Sequence, residues 1–362
     1  MRRIRVASKL FSYDIMVGRG AWRALRRFPL KDYSSFFVLT EERLWSRWGK
    51  LFLRESGLRG PRCVWVPGGE ASKTLRMVER VAGRLLALGA DRKSLLITVG
   101  GGVIGDLGGF IASTYMRGID YIQVPTTVVA QVDSAIGGKT GVDVGAMKNL
   151  VGTFYPPRLV LSEPRVLSSL EARAFRSGLY EVVKHGILAG PEFFQQLEAG
   201  LATLLAAQVR SLEPILAKAA AVKVNVVSRD EHEGGLRRVL NLGHTFGHAL
   251  EEATHYRRFL HGEAVGWGML AAFRLGERLG LLRTTEGARM ARLVRRVGPL
   301  PPIRDLAAAR ILRLLPRDKK AVGGRIHWVV PEGIGKVRVV SDVPEEVATA
   351  ALRDVQQAEG HD

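Results

Sequence analysis

The run Leu95–Gly109, LLITVGGGVIGDLGG, constrains this chain more than any other stretch. Its first five residues are apolar or β-branched and read as a buried strand. The strand runs straight into Gly100, Gly101 and Gly102, and a helical pattern follows. A strand–glycine–helix junction lets backbone N–H groups approach a phosphate at the positive end of a helix dipole. The spacing is not a plain G-x-G-x-x-G. Two readings therefore stay open, a dinucleotide phosphate turn and a tight packing turn.

The neighbouring pattern implies layers. Ser35–Thr40, Arg62–Val66 and Tyr121–Val124 read as further strands, and Thr74–Leu88 carries helical spacing. The N-terminal segment alternates apolar and polar residues through Ile4, Val6, Phe11, Tyr13 and Ile15. It reads as part of the fold and not as a leader. Strands alternating with helices imply a parallel sheet covered by helices, with ligands outside the carboxyl ends of the strands. Gly68-Gly69-Glu70, Gly100–Gly102 and Thr126-Thr127 fall at such ends. Beyond residue 160, Pro191–Leu205, Leu212–Val227 and Glu263–Leu282 are helical in period. Arg325–Val330 with Lys336–Val340 is a late β-like piece, and Pro344 precedes a helix start. The segment 283–317 reads as an arginine-rich, solvated helix pair. With 362 residues the chain has room for two domains of about 100–200 residues each. The expected boundary divides an α/β domain, 1–160, from a mostly α-helical one, 161–362.

Charge asks a separate question. The chain carries 54 basic and 35 acidic residues, a net charge of +19. Such an excess suits nucleic acid, an anionic membrane or acidic small molecules. No basic helix, aromatic stacking strip or nucleic-acid module accompanies it. No charge-free apolar stretch reaches about 18 residues. The expectation is no nucleic-acid and no membrane partner. The single cysteine, Cys63, makes no internal disulfide and fits a reducing cytoplasm.

Three further stretches bear chemistry. Tyr115–Pro157 sets Arg117, Asp133, Lys139, Lys148 and Asn149 among many glycines. A lysine among small residues adds little packing and leaves room for an anion; the bland alternative is a solvated surface loop. Asn241–His248 (NLGHTFGH), His255 and Leu260–Glu263 (LHGE) place four of eight histidines within 18 residues. His244 and His248 share a face if the segment is helical. Histidines with a carboxylate form a zinc-ligand set that leaves an open position. Spacing does not decide which histidines ligate, and Glu181, Glu251, Glu252 and Glu263 all remain candidate carboxylates. Asp318-Lys319-Lys320 reads by itself as a solvated turn.

Together these stretches resemble the 3-dehydroquinate synthase family of sugar phosphate cyclases. The resemblance runs from about Gly68 to Lys336 through GGEASK, GGGVIGDLGGFIASTYMRG, PTTVVAQVDSAIGGKTGV, KNLVGTFYPP, SGLYEVVKHGI, RRVLNLGHTFGHALE, LHGEAVGWGM and DKK. It implies an α/β, Rossmann-like nucleotide-binding N-terminal domain and a mostly α-helical C-terminal domain for metal and substrate. The implied reaction takes 3-deoxy-D-arabino-heptulosonate 7-phosphate to 3-dehydroquinate and phosphate, in the shikimate route to aromatic compounds. It implies NAD, a divalent metal (zinc, or cobalt) and a cytoplasmic homodimer.

Residue by residue, the resemblance implies metal ligands Glu181, His244 and His261. The implied NAD site comprises Gly68, Gly69, Glu70, Lys73, Gly102, Val103, Ile104, Gly105, Asp106, Thr126, Thr127, Lys139, Lys148, Ser169 and Leu170. The implied partners of the substrate anions are Arg117, Lys139, Asn149, Lys223, Arg237, Asn241, His248, Lys319 and Lys320. Asp133 and Lys184 would contact its hydroxyls. Arg117 would reach the neighbouring subunit's site. His255 matches no functional position. Tyr180, Asp143 and Glu171 depart from residues common in the family and leave cofactor geometry open. Competing readings are another cyclase, making a deoxy-inosose or a valiolone, and a metal-dependent polyol dehydrogenase.

Overall fold

In the computed structural model the described residues are all but 146, 207–208, 316–325 and 360–362. The first elements are β1 (Arg2–Ala7), β2 (Ser12–Val17), β3 (Phe36–Thr40), α1 (Glu42–Ser56), β4 (Arg62–Trp65), α2 (Leu75–Ala87), β5 (Leu95–Gly100) and α3 (Gly102–Thr114). Then come β6 (Tyr121–Pro125), β7 (Lys139–Val144), β8 (Met147–Phe154), β9 (Leu159–Ser162), α4 (Ala172–Ala189), α5 (Pro191–Leu205) and α6 (Val209–Arg229). The last are α7 (His244–Ala253), α8 (His261–Arg278), α9 (Thr284–Arg296), α10 (Ala308–Leu314), β10 (Trp328–Gly333), β11 (Lys336–Val340) and α11 (Glu345–Gln357).

These elements form two compact units. One comprises Met1–Leu170 and Val209–His232, the other Glu171–Gln208 and Glu233–Asp362. The units do not follow a single boundary near residue 160. Helix α6 groups with the first because its apolar face packs on β1 and the turn at Ala130–Ser134.

The first unit is built on a seven-stranded sheet, β1-β2-β9-β6-β5-β3-β4. Only β1 runs antiparallel. Every residue of β5 is buried, as a continuous apolar run in a parallel sheet requires. Alternation sends Phe37, Leu39, Leu96 and Tyr121 to one face, under α2 and α3. Val38, Leu95, Ile97 and Ile122 go to the other, against Trp22 and Phe52. From β3 the chain pairs β4 on one side and β5 on the other. Ligands of open α/β sheets lie at this kind of switch point, here outside Thr40 and Gly100.

The hairpin β7–β8 was not legible as strands, because its glycines and lysines hide a period of two. In the second unit, α9 buries Met290, Leu293 and Val294, and α10 buries Ile311 and Leu312. This corrects the reading of 283–317 as solvated. Arginines fill the outer faces while every third or fourth residue is core.

Candidate cofactor crevice and metal corner

The glycines of the opening motif divide by role. A Cβ on Gly108 would lie 2.2 Å from Thr98 Cγ2, and one on Gly109 2.5 Å from Thr140 Cγ2. These two let α3 pack closely on the sheet. Gly101 caps α3 without a side chain, and Gly105 N–H donates to Gly101 O at 3.0 Å. The N–H groups of Gly102, Val103 and Ile104 come before Gly105, the first donor of the intrahelical ladder, and so have no acceptor within the helix. The packing reading holds for Gly108 and Gly109, and the helix start at Gly102 is left as the candidate phosphate turn.

Other strand ends add polar groups. Thr126 N–H donates to Gly100 O at 2.9 Å, and Thr127 Oγ1 accepts from Ala130 N–H at 3.1 Å. Lys73, buried behind the turn Glu70–Ser72, donates through Nζ to Asp106 Oδ2 at 2.6 Å. Burial pushes the Lys73 amine down, but Asp106, Glu70 and Asp143 outweigh it, and the net direction is up. Lys148 Nζ lies 3.9 Å from Glu70 Oε1. Ser169 Oγ accepts from Trp48 Nε1 at 2.9 Å, just before Leu170.

Asn149 sits at φ 51° on β8, and its N–H donates to Asp143 Oδ1 at 2.6 Å. Asp143 N–H in turn donates to Lys73 O at 2.8 Å. Asp143 thus ties the hairpin to the lysine turn. Lys139 opens β7 and is exposed. Lys223 Nζ pairs with Asp133 Oδ1 at 2.7 Å. Arg117 is exposed at φ 70°. Sequence reasoning missed Glu41. Its carboxylate lies against Gly68, where a Cβ would come within 2.2 Å of Oε2, and burial pushes its pKa up. Its place directly after β3 becomes informative only through the strand order, which makes that end the switch point.

In the second unit three helices converge because glycines let them. A Cβ on Gly262 would sit 1.8 Å from Ser177 O, and one on Gly268 1.8 Å from Gly243 O. Gly243 itself holds φ +81° at the start of α7. These contacts draw α8 against α4 and α7. Glu181, His244 and His261 then offer ligand atoms that all lie within 4.8 Å of one another. Nε2 of each histidine is 3.7 Å from Glu181 Oε1. The histidine rings cross edge to face, 5.2 Å between centroids.

This set fits a metal ion. Glu181 is fully buried, and neither carboxylate oxygen has a hydrogen-bond partner among the described residues. Lys184 Nζ lies 2.5 Å from Oε2 as a charge partner, outside hydrogen-bond geometry. Lys184 serves Oε2, whereas Oε1 faces both imidazole Nε2 atoms with no hydrogen-bond partner among the described residues, and a metal ion between them would complete that oxygen.

The remaining residues surround this corner. His248 lies 5.4 Å from the His244 ring and 6.0 Å from the His261 ring. Arg237 is buried on the turn Leu236–Asn241. Asn241 Nδ2 donates to Glu233 Oε1 at 2.8 Å, a partner sequence reasoning missed. Glu263 is resolved as a cap, since Oε2 accepts from Leu260 N–H at 2.8 Å and Oε1 from Arg173 Nε at 2.7 Å. Tyr180 is core, and its hydroxyl donates to Gly298 O at 2.9 Å. Glu171 is the N-cap residue of α4. His255 belongs to none of the metal-competent groups found among the described residues. Asp318, Lys319 and Lys320 lie outside the described residues.

An α/β nucleotide-type crevice and a Glu-His-His cluster able to hold a metal ion fit an enzyme class that uses both, and comparison with known proteins names the family. The family profile for the 3-dehydroquinate synthase N-terminal part matches residues 63–177, and that for the C-terminal part matches 178–321. The 3-dehydroquinate synthase of Solibacter usitatus is 42% identical over 343 residues, 94% of this chain and 96% of that one. That of Koribacter versatilis is 40% identical over 98% of each chain. The chain belongs to the 3-dehydroquinate synthase family and is an enzyme of that type.

Solved structures agree. A 2-deoxy-scyllo-inosose synthase complexed with carbaglucose-6-phosphate, NAD+ and Co2+ has TM-score 0.88 at 26% identity, over 98% of this chain and 100% of that one. A 2-epi-5-epi-valiolone synthase from Streptomyces hygroscopicus, with NAD+ and Zn2+ bound, has TM-score 0.86 at 29% identity, over 98% and 99%. A glycerol dehydrogenase from Schizosaccharomyces pombe, 16% identical with TM-score 0.65, shares the fold alone. No helix among the described residues is long and apolar enough to cross a membrane.

Proposed function

We propose that this chain converts 3-deoxy-D-arabino-heptulosonate 7-phosphate to 3-dehydroquinate and phosphate, with catalytic NAD and one divalent metal ion, zinc or cobalt. The observation that carries the reading is the meeting of Glu181, His244 and His261 behind glycine-tight helices. A bound NAD would supply reversible hydride acceptance at the substrate's C5, and a metal held by Glu181, His244 and His261 would supply Lewis-acid polarisation of the hydroxyl there.

The chain's own residues bind and orient. The first-turn N–H groups of Gly102–Ile104 donate to the cofactor's phosphates, with Thr126, Thr127 and the Lys73 turn completing that side. Lys148 and Lys139 add positive charge. Asp133 fixes the Lys223 ammonium before substrate arrives, and Glu181 fixes that of Lys184. Arg237, Asn241, His248, Asn149 and Lys223 are assigned to the substrate's carboxylate and phosphate. So are Lys319 and Lys320, from sequence alone. Each charge-assisted hydrogen bond contributes roughly 1.5–3 kcal/mol. The departing phosphate itself can take the C6 proton, since its second pKa is near about 6.

Two further assignments rest on less. The exposed Arg117 guanidinium, which makes no side-chain ion pair among the described residues, is assigned to the active site of a partner subunit in a homodimer. The single half-buried Cys63 supports a cytoplasmic setting. One assay tests the reaction: the purified protein with the heptulosonate phosphate, zinc and substoichiometric NAD should release phosphate and dehydroquinate. Net NADH without phosphate would instead indicate a polyol dehydrogenase. Turnover of a hexose or heptulose phosphate lacking the carboxylate would indicate one of the other cyclases, which the TM-score of 0.88 keeps in view.

A further inference from the structure

We propose that Glu251 is a positioning residue of the metal corner. It holds His261 by the ring nitrogen that faces away from Glu181, and so fixes Nε2 as the coordinating atom. His261 Nδ1 lies 3.4 Å from Glu251 Oε2. An ionised carboxylate only accepts, so the contact places the proton on Nδ1 and leaves the Nε2 lone pair open. Nε2 is the atom 3.7 Å from Glu181 Oε1.

The second histidine is held by the same logic with a different group. His244 Nδ1 lies 3.3 Å from Leu242 O, and its Nε2 is also 3.7 Å from Glu181 Oε1. One ligand is therefore oriented by a backbone carbonyl and the other by a side chain. Glu251 follows His244 by seven residues on α7, which is two helical turns and the same face. Helix α7 thus supplies one ligand and the hold on another, which comes from α8. The rest of the Glu251 environment supports a fixed carboxylate. The side chain is buried, and its own backbone carbonyl accepts from Tyr256 N–H at 2.8 Å, which closes α7 beneath it.

A rival role exists on the same atoms. Glu251 could itself ligate, with His248 and His261, since those three also offer ligand atoms within 4.8 Å of one another. The two roles separate by chemistry. A positioning group needs only an acceptor, whereas a carboxylate ligand needs its charge and its lone pairs on the metal.

The inference rests on the metal reading above. The test measures zinc affinity of the full chain by chelator competition, with the visible spectrum of the cobalt-loaded protein as a second readout. E251A should weaken zinc binding roughly 10–100-fold and shift the cobalt bands. E251Q, which keeps an acceptor for Nδ1–H, should stay within about threefold of the unsubstituted protein and keep its spectrum. If E251A does not fold, E251M, similar in volume and without an acceptor, takes its place. Unchanged zinc affinity and spectrum in E251A or E251M would overturn the positioning role. So would an E251Q as weak as E251A, which would instead make Glu251 a ligand. An unsubstituted protein that binds no zinc would overturn the metal reading itself.

Discussion

The crevice at β5–α3 and the corner of Glu181, His244 and His261 are built on opposite plans. In the crevice the functional groups are mostly main chain: the first-turn N–H groups of α3 and the strand ends around them. Glycines there leave the helix start without side chains, as close approach of a ligand would require. In the corner the functional groups are side chains on three helices, and glycines remove side chains so that the helices can come close. Glycine packs a helix closely in both units, at Gly108 and Gly109 in the first and at Gly262 and Gly268 in the second, and in the first it also bares a helix start. Loss of one side chain should therefore be graded in the crevice and abrupt in the corner.

The largest expected effect breaks the corner. His261→Ala should lose both bound zinc and turnover, read by metal analysis and phosphate release, while His255→Ala keeps both. Metal loss in His255→Ala would refute the ligand set. Next comes the frame that holds it. A Cβ at 268 meets a backbone carbonyl at 1.8 Å, one that a rotamer change cannot move. Gly268→Ala should cost about 3 kcal/mol in denaturant unfolding. Gly102→Ala, whose Cβ meets only Ser134 Oγ at 3.1 Å, should leave stability within about 1 kcal/mol and weaken NAD binding. Equal stability losses would erase the contrast between the two plans.

A graded loss is expected in the crevice. Lys148→Ala should weaken anion binding by about 1.5–3 kcal/mol, roughly ten- to hundredfold in KM. Wild-type kinetics there would show that its charge only balances Glu70. The smallest effect concerns acid stability of the first unit. Arg165 donates to Glu55 and to Glu163, and holds the Glu55 carboxyl below its ordinary range against the opposing effect of burial. A carboxyl lowered on folding contributes stability above about pH 4.5, its ordinary value, and loses it as pH falls through the lower folded value. The urea midpoint should therefore decline below that pH, and less steeply in Arg165→Met. An identical pH slope in the two proteins would remove Glu55 from the cause.

Much of the crevice was legible because it is local. Strand, glycines and helix are consecutive in Leu95–Gly109, and period and glycine placement report them directly. The hairpin β7–β8 escaped, since its side-chain alternation is interrupted by glycines. Glu41 escaped because a lone acid after a strand carries no signal until the strand order makes that end the switch point. The corner was legible only through long motifs shared with a family. From the residues alone, four glutamates stood as equal candidate ligands. Packing then gave three of them different work: Glu181 faces two Nε2 atoms, Glu251 backs one ring, and Glu263 caps α8.

By itself the sequence determined the strand–helix alternation of the first unit outside the β7–β8 hairpin, the glycine-rich helix start and the presence of four histidines in one short span. The tertiary structure alone decided which carboxylate meets which histidine, and through which nitrogen. The reason is range. Backbone propensity and hydrophobic period act over a few residues. A ligand set assembled from α4, α7 and α8 exists only once Gly262 and Gly268 have let those helices touch.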